Sequence, residues 1–287
     1  MQTFINCIAD HSSEGKLLIG NTQTALIDCG MIFCADATIK KVKDALDGRS
    51  LDYILFSHTH YDHIGALPFF RQAFPQVKGV TTEVGATVLL KDTPRRVIRE
   101  LSQIAAQNHG VMVGDYSDDA FCADVIVKDG DCIDLGGLTV QIIETPGHTR
   151  DSLSFFVPEL GILCLNETTG VLLPDGNVYV CYLTGYQDAI NAIERCRKLP
   201  YKHLSLPHRG IVDGAEAENY FDKALQAYMD CRAFILDMYV QGLDEEAMLD
   251  GFFLKYADEM LLQFQPKAAF YANAKATIAC TLKEANP

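Results

Sequence analysis

The sequence predicts an α/β protein with a helical C-terminal extension. Short apolar and β-branched runs alternate with helix-length amphipathic segments through residues 1–212. Histidines and carboxylates stand at or just past the ends of several of those runs. From Ala215 onward the chain turns rich in Ala, Glu, Leu and Met and offers few strand candidates.

Strand candidates come first at 3–9, 16–19 and 24–29, followed by a helix over 39–46. The apolar strand 53–56 runs directly into SHTHYDH, and a helix over 64–74 follows, its start restricted by Pro68. A strand at 77–81 and helices over 84–90 and 96–107 continue the alternation. Further strands are expected at 121–127, 138–144, 152–157 and 161–165. The PDG of Pro174, Asp175 and Gly176 marks a turn, 188–199 reads as a helix and 203–206 as a short strand. Helices over 215–238, 245–262 and 268–282 complete the chain, their aromatic and methionine positions reading as packing faces.

The composition supports a large core: 287 residues, 48% hydrophobic and 22% charged. The formal net charge of -14 disfavours phosphate backbones and anionic membrane surfaces, pointing to a small-molecule substrate rather than nucleic acid or membrane. Ten cysteines include no CxxC pair and several lie in apolar runs, so they read as small buried hydrophobes of a reducing compartment. The start shows no secretory signal and no run reaches membrane-spanning length, so a cytoplasmic location is expected.

The chemistry concentrates in His58, His60, Asp62 and His63, within SHTHYDH. Imidazoles and a carboxylate suit zinc, manganese or iron, and a tight turn lets two histidines grip one cation while Asp62 and His63 face another. A polar surface cluster is the bland alternative. His148 follows VQII in ETPGHTRDS, Glu167 follows GILCLN and His208 follows HLSL in LPHRG. Singly, each could be an ordinary loop or strand-end residue. Their common placement at strand ends is what a metal site on rigid elements requires.

HTHYDH resembles the HxHxDH signature of the metallo-β-lactamase superfamily, and PGHT and LPHRG match its later histidine motifs in order. The resemblance covers residues 1–212 and implies an αββα sandwich, with 213–287 as a helical extension packed on the active-site side. It implies His58, His60 and His148 on one cation, and Asp62, His63 and His208 on the other. Glu167 stands where the family's bridging aspartate is expected, preceded by Asn166 where glycine is common; it could bridge both ions, bind one or turn away. The cofactors so implied are two divalent ions, zinc first, with iron or manganese as alternatives. The diiron oxygen- or nitric-oxide-reducing branch carries glutamate where this chain has His60. The helical tail is similar to the C-terminal helices of glyoxalase II and of quinolone-signal-response proteins, without an evident glutathione-binding basic cluster.

The expected function is hydrolysis of a small ester or thioester by a cation-held hydroxide, with Asp62 the candidate to orient the nucleophile or take its proton. Two alternatives are a regulatory or ligand-binding protein that retains the metal centre, and a phosphodiesterase. Thr149, Asp151 and Arg209 flank the motifs as candidates to orient ligands or contact substrate, and Tyr182 and Tyr186 as candidates to line the cleft. His11, His109 and His203 have no partner motif. Oligomeric state is left open.

Overall fold

A computed structural model of the chain describes residues 3–7, 14–257, 262 and 267–285. His11, residues 8 and 9 of the expected strand 3–9 and residues 258–261 of the expected helix 245–262 fall outside those residues. The strands form two six-stranded sheets and a two-stranded ribbon. Contacts divide the chain into two compact units, Met1–Glu144 with Leu153–Ile162, and Thr145–Ser152 with Leu163–Pro287.

In the first unit, β1 (Thr3–Asn6), β2 (Lys16–Ile19) and β3 (Thr24–Ile27) pair antiparallel in sequence order. Parallel pairing then adds β4 (Tyr53–Leu55), β5 (Lys78–Thr81) and β6 (Val125–Ile126). β2 and β3 are buried at every position, as expected of strands covered on both faces. Helix α1 (Ala35–Leu46) starts earlier than its periodicity suggested, because Ala35 and Thr38 extend the buried stripe of Ile39, Val42 and Leu46. The expected helix 64–74 is two pieces, α2 (Tyr61–Ile64) and α3 (Leu67–Ala73). Pro68 lies in the first turn of α3, where its missing N–H costs no helical hydrogen bond. Leu17, Leu26, Ile54, Phe56, Leu67 and Phe70 lie in the core beneath this sheet. The helices α4 (Glu83–Leu89) and α5 (Asp92–Asn108) follow. β7 (Cys132–Asp134), unrecognised in the sequence, pairs antiparallel with β8 (Thr139–Glu144), and β8 with β9 (Leu153–Val157).

In the second unit, Leu165 beyond β10 (Ile162–Cys164) donates its N–H to Ser205 of β13 (His203–Leu206). β13 turns back into β14 (Gly210–Val212), too short and Gly-led to register in the sequence. A ribbon joins β11 (Val171–Leu172) and β12 (Val178–Tyr179) across the PDG turn. Helices α6 (Tyr186–Arg197), α7 (Gly214–Val240), α8 (Glu245–Tyr256) and α9 (Lys267–Ala285) complete it. Beyond residue 213 the described residues hold no strand. Buried Tyr220, Phe221 and Tyr228 form the inner face of α7. The Glu284 carboxylate of α9 accepts the N–H groups of Tyr186 and Gln187, satisfying donors exposed at the start of α6.

None of the ten cysteines is in a disulfide, and seven of them are buried, including Cys7, Cys181 and Cys231. No helix among the described residues is long and apolar enough to cross a membrane.

Candidate metal centre

The first four candidate donors lie on one turn. β4 ends at Leu55, and His60 precedes the single helical turn of α2, whose His63 and Ile64 amides both return to the His60 carbonyl. That tight path brings the rings together, His58 edge-on to His60 at 4.5 Å and tilted against His63 at 4.1 Å, centroid to centroid. His63 Nε2 is 3.6 Å from Asp62 Oδ2.

The turn is held by a residue the sequence reading missed. Asp28, just past β3, takes a left-handed backbone (φ 56°), uncommon for a residue with a side chain. Its Oδ1 accepts the Ser57 N–H at 2.7 Å and its Oδ2 meets His63 Nδ1 at 2.9 Å. The next two amides, of Cys29 and Gly30, donate to the His63 carbonyl. Nδ1 of His63 is thereby the protonated nitrogen facing a carboxylate, which places the ring's lone pair on Nε2. One signal was available: Asp28 is another acid at the end of an apolar strand.

The remaining donors lie in the second unit. His148 Nδ1 bonds the Cys181 carbonyl at 2.9 Å, which by the same logic puts its lone pair on Nε2. The loop before it is compact: Gly147 has φ 145°, and a Cβ there would stand 2.7 Å from Thr168 and 2.8 Å from Ala189. Glu167 opens a 3-10 turn, Glu167–Thr169, and is 4% exposed. Asn166 caps that turn, accepting from the Thr168 N–H at 2.8 Å while its amide donates to Thr145 Oγ1 at 2.7 Å. Glycine could make neither bond, which accounts physically for the asparagine. The turn is also gripped from α7. The Tyr228 hydroxyl donates to the Thr168 carbonyl at 2.7 Å, and the Tyr220 hydroxyl to the Gly170 carbonyl at 2.7 Å. Burial pushes both phenols above their ordinary value, so they remain donors. His208 occupies the β13–β14 turn at φ 56°, with Nε2 at 2.9 Å from Glu167 Oε1.

Three groups of donors each have ligand atoms within 4.8 Å of one another: His58, His60 and His148; His58, His63 and Glu167; Asp62, His63 and His208. Thr149 bonds Ser152 within its own turn, and Arg209 lies 3.7 Å from Glu216. Asp151 is 3% exposed. Tyr182 is fully buried, its hydroxyl 2.7 Å from Thr281, and Tyr186 packs beside it at 5.2 Å. His203 pairs with Asp213, and His109 stacks on Phe33 at 3.9 Å.

Clustered histidines and carboxylates at strand ends of two sheets define a metal-binding α/β protein. The chain belongs to the metallo-beta-lactamase superfamily, whose family profile matches residues 17–208, and it has that superfamily's αββα sandwich with added C-terminal helices. It is 32% identical over 158 residues to the coenzyme F420H(2) oxidase of Methanothermobacter marburgensis, a match covering 54% of this chain and 33% of the oxidase. It is 24% identical over 220 residues to the metallo-beta-lactamase fold-containing protein ST1585 of Sulfurisphaera tokodaii, covering 73% and 77% of the two chains. Among solved structures, a metallo-beta-lactamase family protein from Thermus thermophilus superposes with a TM-score of 0.62 at 18% identity, over 99% of this chain and 93% of that one.

Proposed function

We propose that the protein is a metal-dependent hydrolase of a small ester or thioester, with His58, His60 and His148 holding one divalent cation and Asp62, His63 and His208 a second. The observation that carries this reading is the proximity of those donors in threes, each set within 4.8 Å. The orientation of two rings supports it: Asp28 and the Cys181 carbonyl take the Nδ1 positions of His63 and His148, turning Nε2 into the donor atom. Glu167 is read as a ligand common to both ions, because its carboxylate belongs to one triplet and meets His208 of another. A donor set of imidazole and carboxylate fits zinc first, with iron or manganese accepted by the same atoms.

When bound, the cations supply an activated water and a Lewis acid for the carbonyl oxygen. Asp62, about one-fifth exposed, is read as the residue that would orient the nucleophile and take its proton. The buried donors His58, His63, His148 and Glu167 keep bulk water from competing. Residues 213–287 are read as the helical extension on the active-site side, in a layout like that of glyoxalase II and quinolone-signal-response proteins. The tyrosine grip on the Glu167 turn supports that layout.

A redox reading follows from the oxidase relative, yet this chain matches a third of that protein and carries an imidazole at His60. The test is hydrolysis of a panel of esters, thioesters, lactones and phosphodiesters by protein stripped of metal and reloaded with zinc, manganese or iron. Turnover of an ester or thioester that vanishes on stripping and returns on reloading is expected. Turnover confined to phosphodiesters would shift the assignment to that class; none with any metal would contradict it.

A further inference from the structure

Ser57 lies just past β4 and directly before His58, and each of its polar groups meets a partner. Its N–H donates to Asp28 Oδ1 at 2.7 Å, and its carbonyl accepts the N–H of Leu153 at 2.7 Å. The second bond ties the end of β4 in one six-stranded sheet to β9 in the other. The residue is 3% exposed, so bulk water does not compete for its hydroxyl. That hydroxyl lies 3.2 Å from His58 Nδ1 and 3.2 Å from His63 Nδ1. One side chain therefore touches a candidate donor of each proposed cation.

The direction of these bonds follows from counting protons. A hydroxyl has one proton and two lone pairs. Nδ1 of His63 already holds its proton toward Asp28 Oδ2 at 2.9 Å, a charge-assisted bond and shorter than its contact with Ser57. Asp28 thus governs the His63 ring, and the His58 ring is the one that Ser57 can govern. If Ser57 Oγ accepts the Nδ1 proton of His58, the lone pair of that ring falls on Nε2. If it donates instead, the proton stands on Nε2 and blocks a cation there.

The acceptors behind the rings differ in charge. His63 has a carboxylate, His148 the Cys181 carbonyl and His58 a hydroxyl. A carboxylate behind an imidazole raises its basicity as a ligand, whereas a neutral oxygen orients the ring with less of that gain. The donor set of His63 also includes the Asp62 carboxylate, while His58, His60 and His148 are all imidazoles.

We propose that Ser57 is a positioning residue for His58, setting its Nε2 toward the metal, and that this neutral support makes the cation on His58 the more easily lost of the two. The proposal rests on the two-cation reading of the site and not on the reaction performed there.

Proton–nitrogen NMR spectra of histidine-labelled, zinc-loaded protein read the tautomers directly. His58 is expected with its proton on Nδ1, and Ser57→Ala is expected to shift that signal more than the one from His63. Competition with a chelator should resolve a tighter and a weaker zinc step in the native chain. Ser57→Ala is expected to lower the weaker step by about 10–100-fold and to change the tighter step by no more than about twofold. Ser57→Thr, which keeps the hydroxyl, should recover most of that loss, and Asp28→Asn should lower the tighter step instead. Unchanged thermal unfolding of the metal-free variants separates these effects from a damaged fold. An unchanged weaker step in Ser57→Ala, equal losses at both steps, or a His58 proton on Nε2 would overturn the assignment while leaving a two-cation centre standing. A native chain that binds no zinc would overturn both.

Discussion

The two sets of candidate donors are built in opposite ways. His58, His60, Asp62 and His63 occupy six consecutive positions, braced chiefly by one carboxylate, Asp28, from the neighbouring strand end. His148, Glu167 and His208 span sixty-one positions and hang on separate turns. Their supports are a carbonyl for His148, an asparagine cap for the Glu167 turn and two tyrosine hydroxyls from α7. A consecutive motif carries its geometry locally, whereas a dispersed set needs tertiary structure to hold it. The C-terminal helices thus act on the donors themselves, through Tyr220 and Tyr228.

Removing a ligand from either set should have the largest effect. His63→Ala and His208→Ala are expected to lose a cation each and to reduce hydrolysis by more than the roughly 100-fold ceiling for a residue that only orients a ligand. Metal content and turnover of the purified variants check this. Asp28→Asn comes next: it keeps the shape but removes the charge facing His63 Nδ1, so affinity for the cation on His63 should fall by about 10–100-fold in a competition titration with a chelator. Tyr228→Phe deletes one hydroxyl from a buried carbonyl and should destabilise the fold by about 1 kcal/mol or somewhat more in urea unfolding. If the comparison holds, loosening the Glu167 turn also weakens the hold on both cations, since Glu167 is read as common to them; metal affinity unchanged for both would break it.

A further effect is one of pH. Burial raises the Cys7 thiol from 9.0 to about 11 and the Cys231 thiol to about 12. Each thiol keeps its proton in the folded chain after the unfolded chain has lost it. Stability from this source is complete below pH 9 and declines as pH rises from 9 towards 11 and 12. Urea midpoints measured at pH 8, 9 and 10 should fall only above 9.

The same contrast explains what was legible in the sequence. The α/β alternation, the helical tail and the strand His203–Leu206 could be read from periodicity, because those segments carry their pattern in contiguous residues. The dispersed donors could be picked out by their position at strand ends. Their supports could not: Tyr220 and Tyr228 looked like any packing face of α7, since nothing local distinguishes a tyrosine that meets a carbonyl fifty or sixty residues away. Asn166 was visible only as a departure from glycine, and its capping bonds required the turn to be seen. Short strands such as Gly210–Val212 escaped for a related reason, being defined by pairing with β13 rather than by composition.

The most direct test of the metal centre is the number of tightly bound ions per chain, by elemental analysis, in native protein and in Glu167→Ala. The account predicts about two ions in the native chain and about one or fewer in the variant. A native chain without bound metal, or a variant that retains both ions at full affinity, would contradict it.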